Sequence, residues 1–428
     1  MSSGSASEFY FLKIKPMWQY FKGEHLSFWM ICCYLFFEYT RPQAIFPVIN
    51  FLPWTQLFLL GSIAGAFLDK SVKWVNTPAN FFMIWLAIAI YISSLTAYYP
   101  HLSKEHYIDF YGWFVIYFLI INIVNTEKRF YLFLIIFILC AAKISIGTSK
   151  SWAMRGFGFT SWGLMGPKGF FQNSGELSIL MLTLFPVAFK LWEFLKDKIS
   201  RIESFLLSLF WITPILTILG ASSRGSQLAL AVLLLMMFRK NVFKVKPLII
   251  TAVFMVALFS FLPEEQKDRF RSSGDDRTSQ QRLLYWERGW EMMKSHPFLG
   301  VGYFNFSRYF ATHYPSDMLY DKAELPHNIF IQVGTDSGFI GLIPFILLIV
   351  YCFVVGYKMA KKEVYESNRL LSCSCVGMSY GILGFMLAGQ FVTVAYYPFL
   401  WIGLSFLVAG SNVFKITKKK KIVRYQED

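Results

Sequence analysis

The chain of 428 residues is 55% hydrophobic, 19% aromatic and only 16% charged, and its mean hydropathy is +0.46. A soluble domain of this size is not so apolar, so the composition predicts a polytopic membrane protein. The net charge of +15 would favour a nucleic-acid partner in a soluble chain. Here lysines and arginines cluster between apolar runs, so membrane topology explains the charge and we expect no nucleic-acid partner.

Twelve apolar runs have the length of bilayer-crossing helices or approach it, which predicts an all-α fold with about twelve transmembrane helices. Nine of them fall within residues 25–262 and three within residues 328–411. Two are short, which favours tilted or partly re-entrant segments. The predicted spans are 25–39, 54–69, 79–99, 109–124, 129–147, 176–192, 202–219, 225–238, 247–262, 328–357, 370–390 and 395–411.

The distribution of basic residues predicts the orientation of the chain. Alternate short loops are rich in lysine and arginine, and the opposite set of short loops contains few. Basic loops stay in the cytoplasm, so the N-terminal segment 1–24 and the basic tail 412–428 are both expected there. The long polar loop at residues 263–327 then lies on the outer side of the membrane.

The long polar loop contains a predicted helix from about Thr278 to Ser295, which stops before Pro297 and runs into a glycine turn. Apolar residues recur along it at helical spacing, which predicts one face that packs against the protein. These residues are Leu283, Trp286, Trp290 and Met293.

Two arginines of this loop helix have different sequence surroundings. Arg282 lies beside the predicted apolar face, because Trp286 follows it four residues later, and a solvated charge is rarely found there. Arg288 has Glu287 and Glu291 as near neighbours, which favours a surface ion pair. A position in a substrate groove is the alternative for Arg288.

Arg224 lies between two apolar runs, in the sequence GASSRGSQLAL. In the predicted topology this position is on the non-cytoplasmic side of the membrane. An arginine in that position is costly without a partner. The small residues around it leave open backbone amides at a helix start, and such amides together with a guanidinium suit a phosphate. The alternative is an arginine that extends its side chain to the membrane interface.

His327 follows Pro326 and begins the next apolar run, so its imidazole is expected at an outer helix N-terminus near the membrane plane. The helix dipole disfavours a protonated imidazole there, which leaves a neutral ring able to accept a proton. A structural histidine is the alternative. The sequence contains no nucleotide-binding GxxxxGK loop, no HExxH and no GxSxG, so we expect no metal and no cofactor.

Three blocks of the chain resemble the O-antigen ligase superfamily, which comprises O-antigen ligases, O-antigen polymerases and protein O-oligosaccharyltransferases. The blocks are SSRGSQLAL around Arg224, RLLYWERGWEMMKSHPFLGVGYFNF from Arg282, and LPHNIFIQVGTDSGFIGLIPF around His327. The stretch GFFQNSGELSILMLTLFP also resembles a family segment in which an asparagine, here Asn173, precedes an apolar helix. The likeness covers most of the chain from about Gly166 onward.

The resemblance implies a GT-C-like glycosyltransferase of the bacterial inner membrane, with its active site on the periplasmic side. It implies transfer of a glycan from undecaprenyl diphosphate without metal or nucleotide. Carried over to this sequence, Arg224 and Arg282 hold the donor diphosphate and His327 acts as the base. The residues expected along a substrate groove are Asn173, Trp286 and Arg288.

The acceptor is left open by these blocks. The leading hypothesis is inverting transfer of O-antigen onto lipid A core, in which the implied partners are the lipid-linked donor, lipid A core or another surface acceptor, and membrane lipid. A polymerase and a protein O-oligosaccharyltransferase would use the same chemistry. A non-enzymatic transporter of lipid-linked oligosaccharide also fits twelve spans. However, repeat-built transporters show similarity between their two halves, and the two halves of this chain show none.

Overall fold

The computed structural model describes residues 6–11, 13–159, 163–239, 267 and 276–427, and within these residues the chain contains helices and no strand. The fold is therefore helical, as predicted. The α-helices of the described residues are α1 (Ile14–Lys22), α2 (Leu26–Thr40), α3 (Pro42–Ile45), α4 (Trp54–Leu68), α5 (Pro78–Leu95), α6 (Pro100–Glu105), α7 (Tyr107–Ile123), α8 (Glu127–Met154), α9 (Ser174–Leu195), α10 (Arg201–Gly220), α11 (Arg224–Met237), α12 (Arg277–Ser295), α13 (Phe306–His313), α14 (Ile329–Met359), α15 (Lys362–Ser367), α16 (Arg369–Ala388) and α17 (Pro398–Glu427).

Eight helical segments of the described chain are long and apolar enough to cross a membrane, and each coincides with a predicted span. Three shorter apolar helices, α2, α4 and α11, coincide with the predicted spans at 25–39, 54–69 and 225–238. The predicted span at 247–262 lies outside the described residues. The polytopic membrane class is thus confirmed, and the count of twelve stays a prediction.

Helix α9 lies at the centre of the bundle, because it packs against both α10 and α16. Its contact with α16 depends on small residues. A Cβ added at Gly377 or at Gly381 would lie only 2.9 Å from a backbone oxygen of α9. Glycines four residues apart allow two membrane helices to approach closely and gain dispersion contacts that larger side chains would prevent. This close contact holds the middle of α9, at Thr183 and Pro186, against α16.

Helix α14 is broken in its N-terminal third, where the sequence analysis predicted one continuous span at 328–357. Ser337 and Gly338 leave helical geometry, and Gly338 has a φ of +60°. The glycine turn after α12 fills the break, since Val301 N donates to Thr335 O at 2.8 Å and Phe339 N donates to Pro297 O at 2.8 Å. These bonds satisfy backbone groups that the break exposes and fix the loop to a membrane helix.

Helix α12 occupies nearly the predicted range and ends at His296, but the predicted apolar face is wrong in part. Leu283 and Trp290 are exposed, at 55% and 48%. The buried face instead carries Gln281 and Tyr285, which lie over a small separate core formed with α13. The spacing of apolar residues did not predict the buried face correctly. The loop that follows α12 covers one side of the helix, in addition to the side covered by the membrane helices.

Candidate active site

The three residues predicted to carry the chemistry lie at helix starts. Arg224 is the first residue of α11, Arg282 lies in the second turn of α12, and His327 immediately precedes Asn328, the N-cap of α14. The start of α11 approaches the connection between α16 and α17, because a side chain at Gly225 would meet the ring of Phe391. Helix N-termini attract negative charge, so this arrangement favours an anionic ligand.

Arg224 is joined to the start of α12 through Asp276. Arg224 Nη2 lies 3.0 Å from Asp276 Oδ2, and the same carboxylate caps α12 by accepting from Ser279 N at 3.1 Å. Burial raises the pKa of Asp276, but the hydrogen bonds from Ser279 and Arg224 outweigh it and hold that pKa below its usual range. Asp276 is therefore ionised at neutral pH and compensates part of the positive charge.

Arg282 is partly buried beside Arg224. Its Nε is buried and has no hydrogen-bond partner among the described residues. Burial, and then the neighbouring charge of Arg224, lower the pKa of the Arg282 guanidinium, and Asp276 and Glu324 lie close enough to oppose this effect. Two neighbouring guanidinium groups repel each other, and the buried donor of Arg282 has no partner in the described chain, so an anion that bound Arg282 would be stabilising.

His327 is held by its backbone and by a carboxylate. Its φ is +50°, a strained value for a residue with a Cβ, and its backbone N donates to Thr393 Oγ1 at 2.9 Å. His327 Nε2 lies 2.9 Å from Glu324 Oε2, and this hydrogen bond is the main cause that lowers the pKa of Glu324. An ionised carboxylate only accepts hydrogen bonds, so Nε2 is the donor of this bond and Nδ1 is the ring nitrogen that a neutral imidazole has available to accept a proton.

Residues 319–328, the strap, connect the small core to the start of α14 and carry both Glu324 and His327. Side chains of α12 hold the strap at three points. Tyr285 accepts from Glu324 N at 2.9 Å, and Trp286 Nε1 donates to Pro326 O at 2.9 Å. Gln281 Oε1 accepts from the backbone N of Leu319 at 2.5 Å. The polar residues on the buried face of α12 thereby set the position of the imidazole relative to Arg282.

Two of the predicted groove residues have contrasting positions. Asn173 precedes α9 and donates to Glu176 from both its backbone N and its Nδ2, each at 3.2 Å. Glu176 in turn lies close enough to His327 to interact with its charge, so Asn173 borders the site. Arg288 instead pairs with Asp317 at 2.6 Å and Glu291 at 2.8 Å, which fixes α12 to the segment after α13.

The sequence analysis missed the acidic residues of the site. Neither Asp276 nor Glu324 was predicted as a site residue from the sequence. The spacing of Glu324 and His327, three residues apart in ELPH, is the signal that would have found the pair, because a carboxylate often orients a functional imidazole. Among the described residues, no group of three His, Cys, Asp or Glu side chains is arranged to hold a metal ion.

Comparison with known proteins adds one finding. The family model described as O-antigen ligase matches residues 208–346, which include Arg224, Arg282 and His327. A search of curated protein sequences finds no match to this chain. The family match covers less than half of the chain, but it contains the helix start, the loop helix and the strap that form the site. The predicted resemblance to the O-antigen ligase superfamily is thus confirmed over residues 208–346.

Proposed function

We propose that this membrane enzyme of the O-antigen ligase or polymerase type transfers a glycan from undecaprenyl diphosphate to an acceptor on the periplasmic side of the bacterial inner membrane. We further propose that it joins O-antigen to lipid A core. The observation that carries the proposal is the pair of guanidinium groups at the outer helix starts, of which Arg282 has a buried Nε without a partner in the described chain.

The donor diphosphate supplies the anion that this pair requires. Its oxygens accept charge-assisted hydrogen bonds from both Arg224 and Arg282, and negative charge on the leaving oxygen grows as the sugar–oxygen bond breaks. Guanidinium groups bind phosphate oxygens in a fixed, forked geometry and stay protonated at any physiological pH. The two arginines therefore stabilise the leaving group in the role that a divalent cation has in other phosphate chemistry.

His327 removes the proton from the acceptor hydroxyl. The acceptor oxygen attacks the anomeric carbon and forms the new glycosidic bond while the bond from that carbon to the diphosphate oxygen breaks. The hydroxyl proton moves to His327 Nδ1, because Nε2 already donates to Glu324. Attack opposite the diphosphate inverts the anomeric centre. A positioned base of this kind contributes about 10²- to 10⁴-fold to the rate.

Glu324 gives the imidazole its orientation and compensates the charge that it gains. Glu324 lies three residues before His327 and is also within the electrostatic influence of Arg282, so it connects the base to the diphosphate-binding arginines. A carboxylate in this position holds one tautomer and stabilises the imidazolium, as in other carboxylate–histidine pairs. The Glu324 carboxylate thus supports both halves of the proposed reaction.

Reconstituted transfer tests the proposal directly. The full-length protein is placed in lipid nanodiscs with a synthetic undecaprenyl diphosphate glycan and purified lipid A core, and product is measured for wild type, His327→Ala and Arg282→Ala. We expect a loss of about 10²-fold or more for each variant, with unchanged protein recovery. Wild-type rates in both variants would contradict the mechanism.

The identity of the acceptor is tested in cells by the glycan that accumulates. Loss of a ligase leaves lipid-linked polymer without surface attachment, whereas loss of a polymerase leaves single repeats. An oligosaccharyltransferase would instead leave unmodified Ser or Thr residues on a surface protein. A transporter would be indicated if transfer in the nanodisc assay stayed at background while the lipid-linked glycan still crossed the membrane in a protein-dependent manner.

A further inference from the structure

A cavity of about 260 Å³ lies beside the strap and is lined neither by Arg224 nor by Arg282. Its walls are largely aromatic and come from Phe170, Phe304 and Tyr397, among others. The volume is below the range of about 300–1,000 Å³ that is typical of pockets for drug-sized ligands. The cavity therefore has room for a small ring and not for a lipid chain.

The aromatic walls of the cavity pack against one another in pairs. The rings of Phe170 and Tyr397 meet edge to face with centroids 5.0 Å apart, and the imidazole of His106 stacks on Phe304 at 4.0 Å. Aromatic faces are apolar and carry partial negative charge, so they attract the slightly positive C–H groups on one face of a sugar ring. This composition distinguishes the cavity from a phosphate site.

Polar groups border the same cavity and offer both kinds of hydrogen bond. His106 Nδ1 lies 2.7 Å from Asp109 Oδ2, so the pair presents a carboxylate to the cavity. Gln332 is almost fully buried, and its Oε1 accepts a hydrogen bond from the backbone N of Ala395 at 3.1 Å. This bond fixes the amide and leaves the Nε2 group as its donor. A few placed polar groups in an aromatic pocket are the common means of recognising a polyhydroxylated ligand.

The wall that carries Phe304 is rigidly supported. Phe304 has a φ of +56°, and its backbone N donates to Asp336 Oδ1 at 3.0 Å. Next to it, Asn305 Nδ2 donates to Ser103 Oγ at 3.0 Å and to Tyr303 O at 2.9 Å, and all three of these residues are fully buried. A strained backbone that is fixed by several bonds is a preorganised surface, which lowers the entropy lost when a ligand binds.

The cavity adjoins the proposed base. Thr393, one of its lining residues, accepts from the backbone N of His327, and Leu325 lines it two residues before His327. Tyr397 donates from its hydroxyl to Glu176 at 3.1 Å, and Glu176 lies near the His327 charge. In an inverting transfer the acceptor approaches from the side opposite the diphosphate, and this cavity borders His327 without containing either arginine.

We infer that this cavity binds the terminal sugar ring of the acceptor and presents one of its hydroxyls to His327. The inference rests on the proposed function, because it assigns the acceptor side of that same reaction. It narrows the acceptor to a glycan, as in lipid A core or a growing polymer, and disfavours a serine or threonine side chain of a protein. His106, Asp109 and Gln332 would bond the ring hydroxyls while the aromatic walls cover its apolar face.

Direct binding tests the inference without using transfer. Methyl glycosides of glucose, galactose, N-acetylglucosamine and heptose are titrated into the full-length protein in detergent, and saturation-transfer NMR reports bound sugar. We expect at least one glycoside to bind, and Asp109→Asn to weaken its binding about tenfold, because a charge-assisted hydrogen bond is lost. His101→Ala is the matched control, since His101 is exposed on α6 and outside the cavity.

Each other outcome overturns the inference. If no glycoside binds wild type, or if Asp109→Asn binds as wild type does, the cavity is not a sugar site. If the glycan-bearing donor displaces the glycoside while undecaprenyl diphosphate alone does not, and Asp109→Asn weakens donor binding with an unchanged KM for the acceptor, the cavity holds a donor sugar.

The binding assay also separates this inference from the proposed function. Normal transfer by His327→Ala, together with sugar binding that depends on Asp109, would remove the proposed mechanism and leave the sugar site standing. Loss of transfer in His327→Ala, together with wild-type sugar binding in Asp109→Asn, would support the proposed mechanism and remove the sugar site.

Discussion

Two arginines within the membrane protein have opposite surroundings. Arg129, near the start of α8, is 5% exposed, and its Nη2 lies 2.6 Å from Glu24 and 3.3 Å from Asp69. Its Nη1 also donates to Ser71 Oγ and to Ile123 O, each at 3.0 Å.

At the opposite end of the predicted topology, Arg282 has a buried Nε with no partner among the described residues, and it lies beside a second arginine. The first arginine is fully compensated within the protein, so it stabilises the fold. The second has the arrangement that the proposed function requires, in which an external anion would complete its hydrogen bonds.

The largest expected effect tests this contrast through stability. Arg129→Ala leaves Glu24 and Asp69 buried without a cation, so we expect it to lower the free energy of unfolding by about 3–5 kcal/mol. Arg282→Ala removes a buried donor that has no partner in the described chain and a charge that Asp276 and Glu324 oppose only in part, so we expect it to destabilise the protein much less. Thermal unfolding of the purified protein in detergent, in the absence of donor, measures both.

Arg288→Ala is the matched control on the helix of Arg282. Arg288 is paired with Asp317 and Glu291, so we expect its loss to change donor affinity by less than about twofold. Equal destabilisation by Arg129→Ala and Arg282→Ala would remove the contrast. A strong loss of donor affinity in Arg288→Ala would assign Arg288 to the substrate groove.

A second, smaller effect is expected at Glu324. Glu324→Gln keeps the shape of the side chain and removes its charge, so we expect transfer to fall about tenfold through loss of one charged hydrogen bond to His327. That hydrogen bond holds the pKa of Glu324 below its usual range. The pair is therefore intact above the ordinary glutamate pKa and is lost only as pH falls through the lowered value.

The carboxylate should thus be ionised from about pH 5 upward, so the loss in Glu324→Gln is expected at about pH 7.5 and should disappear only in stronger acid. Initial transfer rates of both proteins at about pH 7.5, with protein stability monitored in parallel, provide the measurement. Equal rates for wild type and Glu324→Gln would contradict the assigned role of Glu324.

The smallest effect sharpens the role of Asp276, which compensates part of the charge that the diphosphate is expected to meet. Asp276→Asn preserves an N-cap for α12 and removes the negative charge. We expect donor affinity to rise about two- to fivefold, since a partly exposed ion pair is worth about 0.2–1 kcal/mol. Binding of undecaprenyl diphosphate by microscale thermophoresis measures it. A weaker affinity in Asp276→Asn would mean that Asp276 positions Arg224 for the donor.

Much of the fold could be predicted because its signals are local. Hydropathy over about twenty residues locates a membrane helix, and α5, α9 and α16 lie where the apolar runs predicted them. The end of α12 at His296 follows from the proline next to it. The family motifs around Arg224, Arg282 and His327 are likewise short, contiguous stretches of sequence, and the family match over 208–346 includes them all.

Only the tertiary structure decided how these separate stretches meet. The ion pair of Arg224 with Asp276 joins residues 52 positions apart, and the bond from His327 N to Thr393 spans 66. Which face of α12 is buried was also decided by a contact between segments distant in sequence, because the strap covers that face. Such contacts are set by the packing of helices and loops distant in sequence, and hydropathy and periodicity carry no information about which partners will face one another.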